Sequence, residues 1–243
     1  NGKDFADPEH FYYTIFKQRN RTRHEWLNHF FYKGNCLCHP TMLIRRECYD
    51  TVGYYDPRYA QLPDLDMWVR LCMKYSIFVL DENLIKFRVN SKHTNVSAPT
   101  SVNCKRSEWE FLHILEHYAR IRDAEEFLRI FPIEDELIPF YLARLALEVD
   151  SPYHTHRIFA LNTLYRLLND DTLYERISTH YDFTYIDFIK LTGSTDFIVK
   201  YKQPGIKQMV IKPVLQSFYM LKPLQNMKST LRKVISALEK PLN

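Results

Sequence analysis

The chain has 243 residues, 46% hydrophobic and 15% aromatic, with 33 basic against 29 acidic side chains and a formal net charge of +4. That length admits one large or two modest domains, and no uninterrupted run of about 18 apolar residues is present to span a bilayer. With only 5 glycines and neither GxGxxG nor GxxxxGK[ST], the usual glycine-rich phosphate cradles are excluded.

Residues 8–33 read as helix, broken at the polar stretch QRNRTR, because Phe11, Ile15 and Phe16, then Trp26, Leu27, Phe30 and Phe31 recur at helical spacing. LCHPTMLI (37–44) is too short for a helix and predicts a buried strand. RRECYDTVG (45–53) predicts a brief helix closed by Gly53. After a loop, Leu65, Trp68, Leu71, Cys72 and Tyr75 form one helical stripe beginning near Asp64. SIFVL (76–80) and LIKFRV (84–89) predict two strands around a turn at DEN, and NSKHTNVSAPTS (90–101) predicts a polar loop.

Strand signals fade after residue 101. Trp109, Leu112, Leu115, Tyr118 and Ala119 mark one helix; Leu142, Leu145 and Ala146 mark a second. Phe159, Leu161, Leu164, Leu167 and Leu168 mark a third, with more helix after Thr172. The expected fold class is therefore α+β, mainly α: a part with a few strands over 1–100, an all-helical domain over 101–203, and a tail over 204–243. Charge follows the same division: 14 basic and 11 acidic side chains in the first part, 12 and 17 in the second, 7 and 1 in the tail. An apolar stripe in the tail (Leu224, Met227, Leu231, Val234, Ile235, Leu238) faces Lys228, Arg232 and Lys240. This fits either contact with a membrane surface or docking on the protein.

Asp64 and Asp66 are the candidate chemistry. On a helix, residues two apart point roughly 200° away from one another, which argues against a shared metal clamp. Capping explains both acids without function, since Asp at a helix N-terminus accepts orphan N–H bonds and opposes the dipole. Cys36, Cys38 and His39 in CLCH lack the four ligands and CxxC spacing of structural zinc and read as free thiols beside a histidine. His24 and His29 are five apart, one too many for HExxH. Five cysteines without framework spacing predict a reducing, cytosolic compartment.

The ordered run HPTMLIRRECYDTVGYYD, LPDLDMWVRL, FVLDENLIKFRV and HTNVS resembles the acceptor-side half of bacterial-type family 2 glycosyltransferases of the GT-A type. The likeness covers residues 34–97. It implies an inverting transfer of a sugar from a nucleotide-sugar donor to a glycan or lipid-linked acceptor, as in polysaccharide biosynthesis. It also implies that 1–100 is a partial GT-A acceptor subdomain. The nucleotide-binding half, whose DxD would hold Mg or Mn, has no counterpart before residue 34. The chain begins with Asn and is expected to start partway through a longer product or after a processed segment, and to be inactive without that half.

Carried over by position, Asp64 falls on the catalytic base, Asp66 on the second acid, Trp68 on the tryptophan and Arg70 on the arginine after it. Pro63 stands where the family has Glu. His39 would shape the acceptor site, and Arg88, His93 and Asn95 would lie in the loop over the donor diphosphate. QxxRW is absent, so addition of single sugars is expected rather than processive synthesis. A base at a helix N-terminus is expected to stay ionised near neutral pH. Trp68 could brace the helix or offer a face to a sugar. The competing expectation is a non-catalytic helical module that holds proteins or glycans. Nucleic-acid binding is not expected, because no recognised motif accompanies the basic tail.

Overall fold

A computed structural model describes residues 14–86, 98–132, 137–150 and 154–195. All of them belong to the first of the chain's two units, Asn1–Lys202. The described residues contain nine α-helices and no strand: α1 (Arg23–Lys33), α2 (Arg46–Val52), α3 (Pro63–Cys72), α4 (Ser101–Leu115), α5 (Ala124–Ile130), α6 (Ile138–Leu147), α7 (Thr155–Leu168), α8 (Asp171–Tyr181) and α9 (Tyr185–Gly193). Single 3-10 turns occupy His39–Thr41 and Tyr118–Arg120.

Local chemistry sets the helix ends. Thr22 opens α1 with a capping box: its hydroxyl accepts the Glu25 N–H while Glu25 accepts from the Thr22 backbone. Gly53 closes α2 at φ 82°, donating its N–H to Tyr49 O. Trp26, Leu27, Phe30 and Phe31 on α1 are fully buried, each contributing on the order of 2 kcal/mol of apolar burial. That face meets α3 and α5. Around α7, whose Phe159, Ala160, Leu161 and Leu164 are buried, pack α6, α4, α8 and α9. One continuous core runs from Trp26 to Ile177, and helices on either side of residue 100 contribute to it.

The α+β expectation, with its partial GT-A sheet, is overturned: among the described residues no strand forms. LCHPTMLI instead makes a 3-10 turn at His39–Thr41 followed by extended backbone. Met42 and Ile44 are partly buried there while Leu43 is fully exposed. In SIFVL, Ile77 and Val79 turn inward while Phe78 and Leu80 are exposed, and no ladder is present. The alternation of a strand exists in both stretches, but a strand also needs a neighbour for its N–H and C=O groups. Asn20 fills that role at one residue: its Nδ2 donates to Val79 O at 2.8 Å and its Oδ1 accepts the Val79 N–H at 2.7 Å. In LIKFRV, Leu84 and Ile85 are exposed, and residues 87–89 lie outside the described residues.

Two smaller expectations also change. Tyr75 lies beyond the end of α3. On α4 one residue of the predicted stripe departs: Trp109 is 64% exposed and Glu110 takes the inward place, while Leu115 and Tyr118 are buried and Leu112 and Ala119 pack against the core. Among the described residues no helix is long and apolar enough to cross a membrane. The tail over 204–243 lies outside the described residues.

Candidate functional site

Helix α3 begins at Pro63, whose fixed φ and missing N–H suit the first helical position. Leu62 occupies the N-cap and makes no side-chain cap. The duty passes to a remote group. Glu110 on α4, 2% exposed, accepts the N–H groups of Ala60, Gln61 and Leu62 at 2.8, 2.8 and 2.7 Å. Three successive backbone donors converging on one carboxylate hold the entry to α3 in place.

Asp64 is the second residue of α3 rather than its N-cap, and in that first-turn position it still accepts an orphan N–H, as the capping account expects. Its Oδ1 accepts the Leu65 N–H at 2.8 Å and its Oδ2 accepts Asn35 Nδ2–H at 2.6 Å. The side chain is partly buried, and burial pushes its pKa above the usual aspartate value, against the opposing pull of Leu65, Asn35 and His39. A carboxylate has about four acceptor positions, so two bonds leave capacity to take a proton. Cys38 lies close enough that burial, then the Asp64 charge, raise its thiol pKa. Burial, with Tyr49 and Asp64, lifts the Tyr55 hydroxyl to about 12. His39 is exposed, with its ring 5.4 Å from Tyr55 and 6.1 Å from Trp68.

Asp66 has the opposite surroundings. It is 2% exposed; Oδ2 accepts Arg70 Nε–H at 2.8 Å, and Oδ1 lies 2.8 Å from His117 Nε2. Burial alone would raise its pKa, but the bonds from His117 and Arg70 outweigh it and hold the carboxyl below its ordinary value. Arg70 also donates to Val52 O, to Gly53 O at 3.3 Å and to Tyr54 O at 2.9 Å. This network fastens α3 to the chain leaving α2 and to the end of α4.

The two carboxylates therefore diverge. Among the described residues no group of three or more His, Cys, Asp or Glu is arranged to hold a metal ion. Cys36 and Cys38 are free thiols. Trp68 is 1% exposed and is a core ring, with its Nε1 lacking a hydrogen-bond partner among the described residues. The structure thus brings Asp64, His39, Cys38, Asn35 and Tyr55 together, while Asp66 and Trp68 are buried in the core and Arg70 pairs with Asp66. Arg88, His93 and Asn95 lie outside the described residues.

No family model, curated protein or solved structure matches this chain.

Asn35, Glu110 and His117 escaped the sequence reading. Only Glu110 left a local signal: it is an acid four residues before Ile114 on the inward face of α4, while α3 starts on a proline without a side-chain cap. Asn35 and His117 are 29 and 51 residues from their aspartate partners, beyond the reach of any local pattern.

Proposed function

We propose that this chain supplies the acceptor side of an inverting glycosyltransferase, with Asp64 as general base. One observation carries the reading: two aspartates two residues apart on α3 have their proton affinities pushed in opposite directions. Surroundings that divide a carboxylate pair in this way also divide their roles. Asp66, held ionised by Arg70 and His117, braces the helix. Asp64, with its affinity raised and acceptor positions to spare, suits proton removal.

In the proposed reaction the acceptor hydroxyl gives its proton to Asp64 as its oxygen bonds to the anomeric carbon. The bond from that carbon to the donor's phosphate oxygen breaks on the opposite face, and the nucleoside diphosphate departs with the electron pair. His39 and Tyr55 flank the carboxylate and would orient the acceptor. The donor and any Mg or Mn are assigned, by the resemblance alone, to an upstream nucleotide-binding half. Addition of one sugar at a time to a bacterial glycan or lipid-linked acceptor, at the cytoplasmic face of the membrane, belongs to the same proposal.

The test joins residues 1–243 to such an upstream half and measures sugar transfer with Asp64→Asn. The expected rate loss is about 10²- to 10⁴-fold, with a thermal midpoint within a few degrees of the parent, on the order of 1 kcal/mol or less. A rate retained within a few-fold of the parent rules out Asp64 as the base.

A second reading, a non-catalytic helical module, is favoured by the aromatic rings the helices present outward: Trp109 and Tyr165 are 64% and 66% exposed. It predicts partner or glycan capture that Asp64→Asn leaves intact and that Trp109→Ala weakens.

A further inference from the structure

An open, solvent-facing cavity of about 550 Å³ lies next to the Asp66 network, lined by none of the residues around Asp64. Its volume falls within the range that holds small organic ligands, roughly 300–1,000 Å³. Four cations line it: Arg23, Lys74, Arg120 and Arg122. Arg23 is already committed, with its guanidinium 2.5 and 2.7 Å from the two carboxylate oxygens of Glu126. His24 Nε2 lies 3.1 Å from the same carboxylate. Glu126 is thereby neutralised within the wall, and burial is outweighed by these bonds so that it stays ionised to lower pH than usual.

Lys74, Arg120 and Arg122 are exposed and make no ion pair among the described residues. The remaining acid in the lining, Asp123, spends Oδ1 on the Glu125 N–H at the start of α5. The local balance is positive, and the three uncommitted cations come from the end of α3 and the short stretch between α4 and α5. Met73 and Ile121 give the cavity an apolar wall. His117 lines it too and reaches Asp66 at 2.8 Å.

We propose that this cavity binds the phosphate or diphosphate group of a small organic ligand, with Arg120, Arg122 and Lys74 on the anion and Met73 and Ile121 on its apolar part. Guanidinium groups match phosphate oxygens through paired N–H donors. A ligand of this class is larger than a bare ion, as the volume requires. The inference is independent of the transfer reading, since it uses no residue of the Asp64 cluster.

Titration of the 243-residue chain with inorganic pyrophosphate at physiological ionic strength, followed by calorimetry, tests it. The expected result is saturable binding that Arg120→Ala with Arg122→Ala weakens by about tenfold or more, while Arg45→Ala with Arg46→Ala leaves it unchanged. Far-UV circular dichroism of both variants confirms folding. A parallel arm measures retention on phosphatidylcholine vesicles with and without phosphatidylglycerol. Retention on the anionic vesicles that falls with the Arg120/Arg122 pair, without pyrophosphate binding, keeps the phosphate chemistry and assigns it to a lipid headgroup. The proposal is overturned by binding to neither probe, by binding that survives loss of both arginines and so belongs to basic residues elsewhere, or by an equal loss in the Arg45/Arg46 control.

Discussion

Asp66 sends both carboxylate oxygens into the protein, to Arg70 and His117, whereas Asp64, in the same turn of α3, leans on one amide side chain and one backbone N–H. The two positions share residue type, helix and first turn. What separates them is what lies opposite: a guanidinium and an imidazole in direct contact in one case, and in the other Asn35 and a backbone N–H, with His39 acting only at longer range. The contrast teaches that a charge enclosed with its counter-charge becomes a fastening, while one whose burial outweighs its few bonds gains affinity for a proton.

The largest effect on stability should come from cutting the fastening. Asp66→Ala leaves Arg70 and His117 facing an empty acceptor position, and a loss of about 3–5 kcal/mol is expected in urea unfolding. A loss below about 1 kcal/mol would erase the distinction between the two aspartates.

Removing the remote cap comes next. Glu110→Ala strands the N–H groups of Ala60, Gln61 and Leu62, at an expected cost of about 2–3 kcal/mol. Glu110→Gln, which keeps one oxygen, should cost less. Hydrogen exchange at those three amides would report the loosening directly, and unchanged protection would show that Glu110 does not hold the entry to α3.

The smallest effect is a slope in pH. Asp66 is held below its ordinary value of 3.8 and Glu126 below 4.5. Each therefore contributes stability that is present above those values and is lost as pH falls through the lower, folded-state ones. Asp64 is shifted upward from 3.8, so the stability tied to its protonated form declines as pH rises from there through its folded value. Urea midpoints measured from about pH 3 to 7 should fall on the acid side, less steeply for Asp66→Asn and more steeply for Asp64→Asn. Identical slopes for the two variants would dissolve the comparison.

Much of the helical frame was legible. The apolar spacing of Phe159, Leu161, Leu164, Leu167 and Leu168 gives α7, and Gly53 ends α2 as read. The strands were not, because period-2 alternation over Met42–Ile44 and Ile77–Leu80 records only which way side chains point. Whether a ladder forms depends on backbone partners far along the chain. Trp109 was misplaced for a related reason: counting apolar residues overlooks a buried glutamate, and Glu110 is inward where its apolar neighbour is not. At the site, the sequence pointed to Asp64, Asp66 and Arg70. The opposed proton affinities were invisible there, since they arise from burial and from His117, which arrives from another helix.

The two bonds between Asn20 and Val79 carry a consequence for solubility. Phe78 and Leu80 face outward at 76% and 56% exposure on extended backbone, the kind of stretch from which intermolecular β-stacking begins. By occupying both backbone groups of Val79, one asparagine blocks the middle of that template against a neighbouring molecule. Asn20→Ala is therefore expected to raise light scattering first at high protein concentration, and scattering unchanged from the parent would show that these two bonds do not limit self-association.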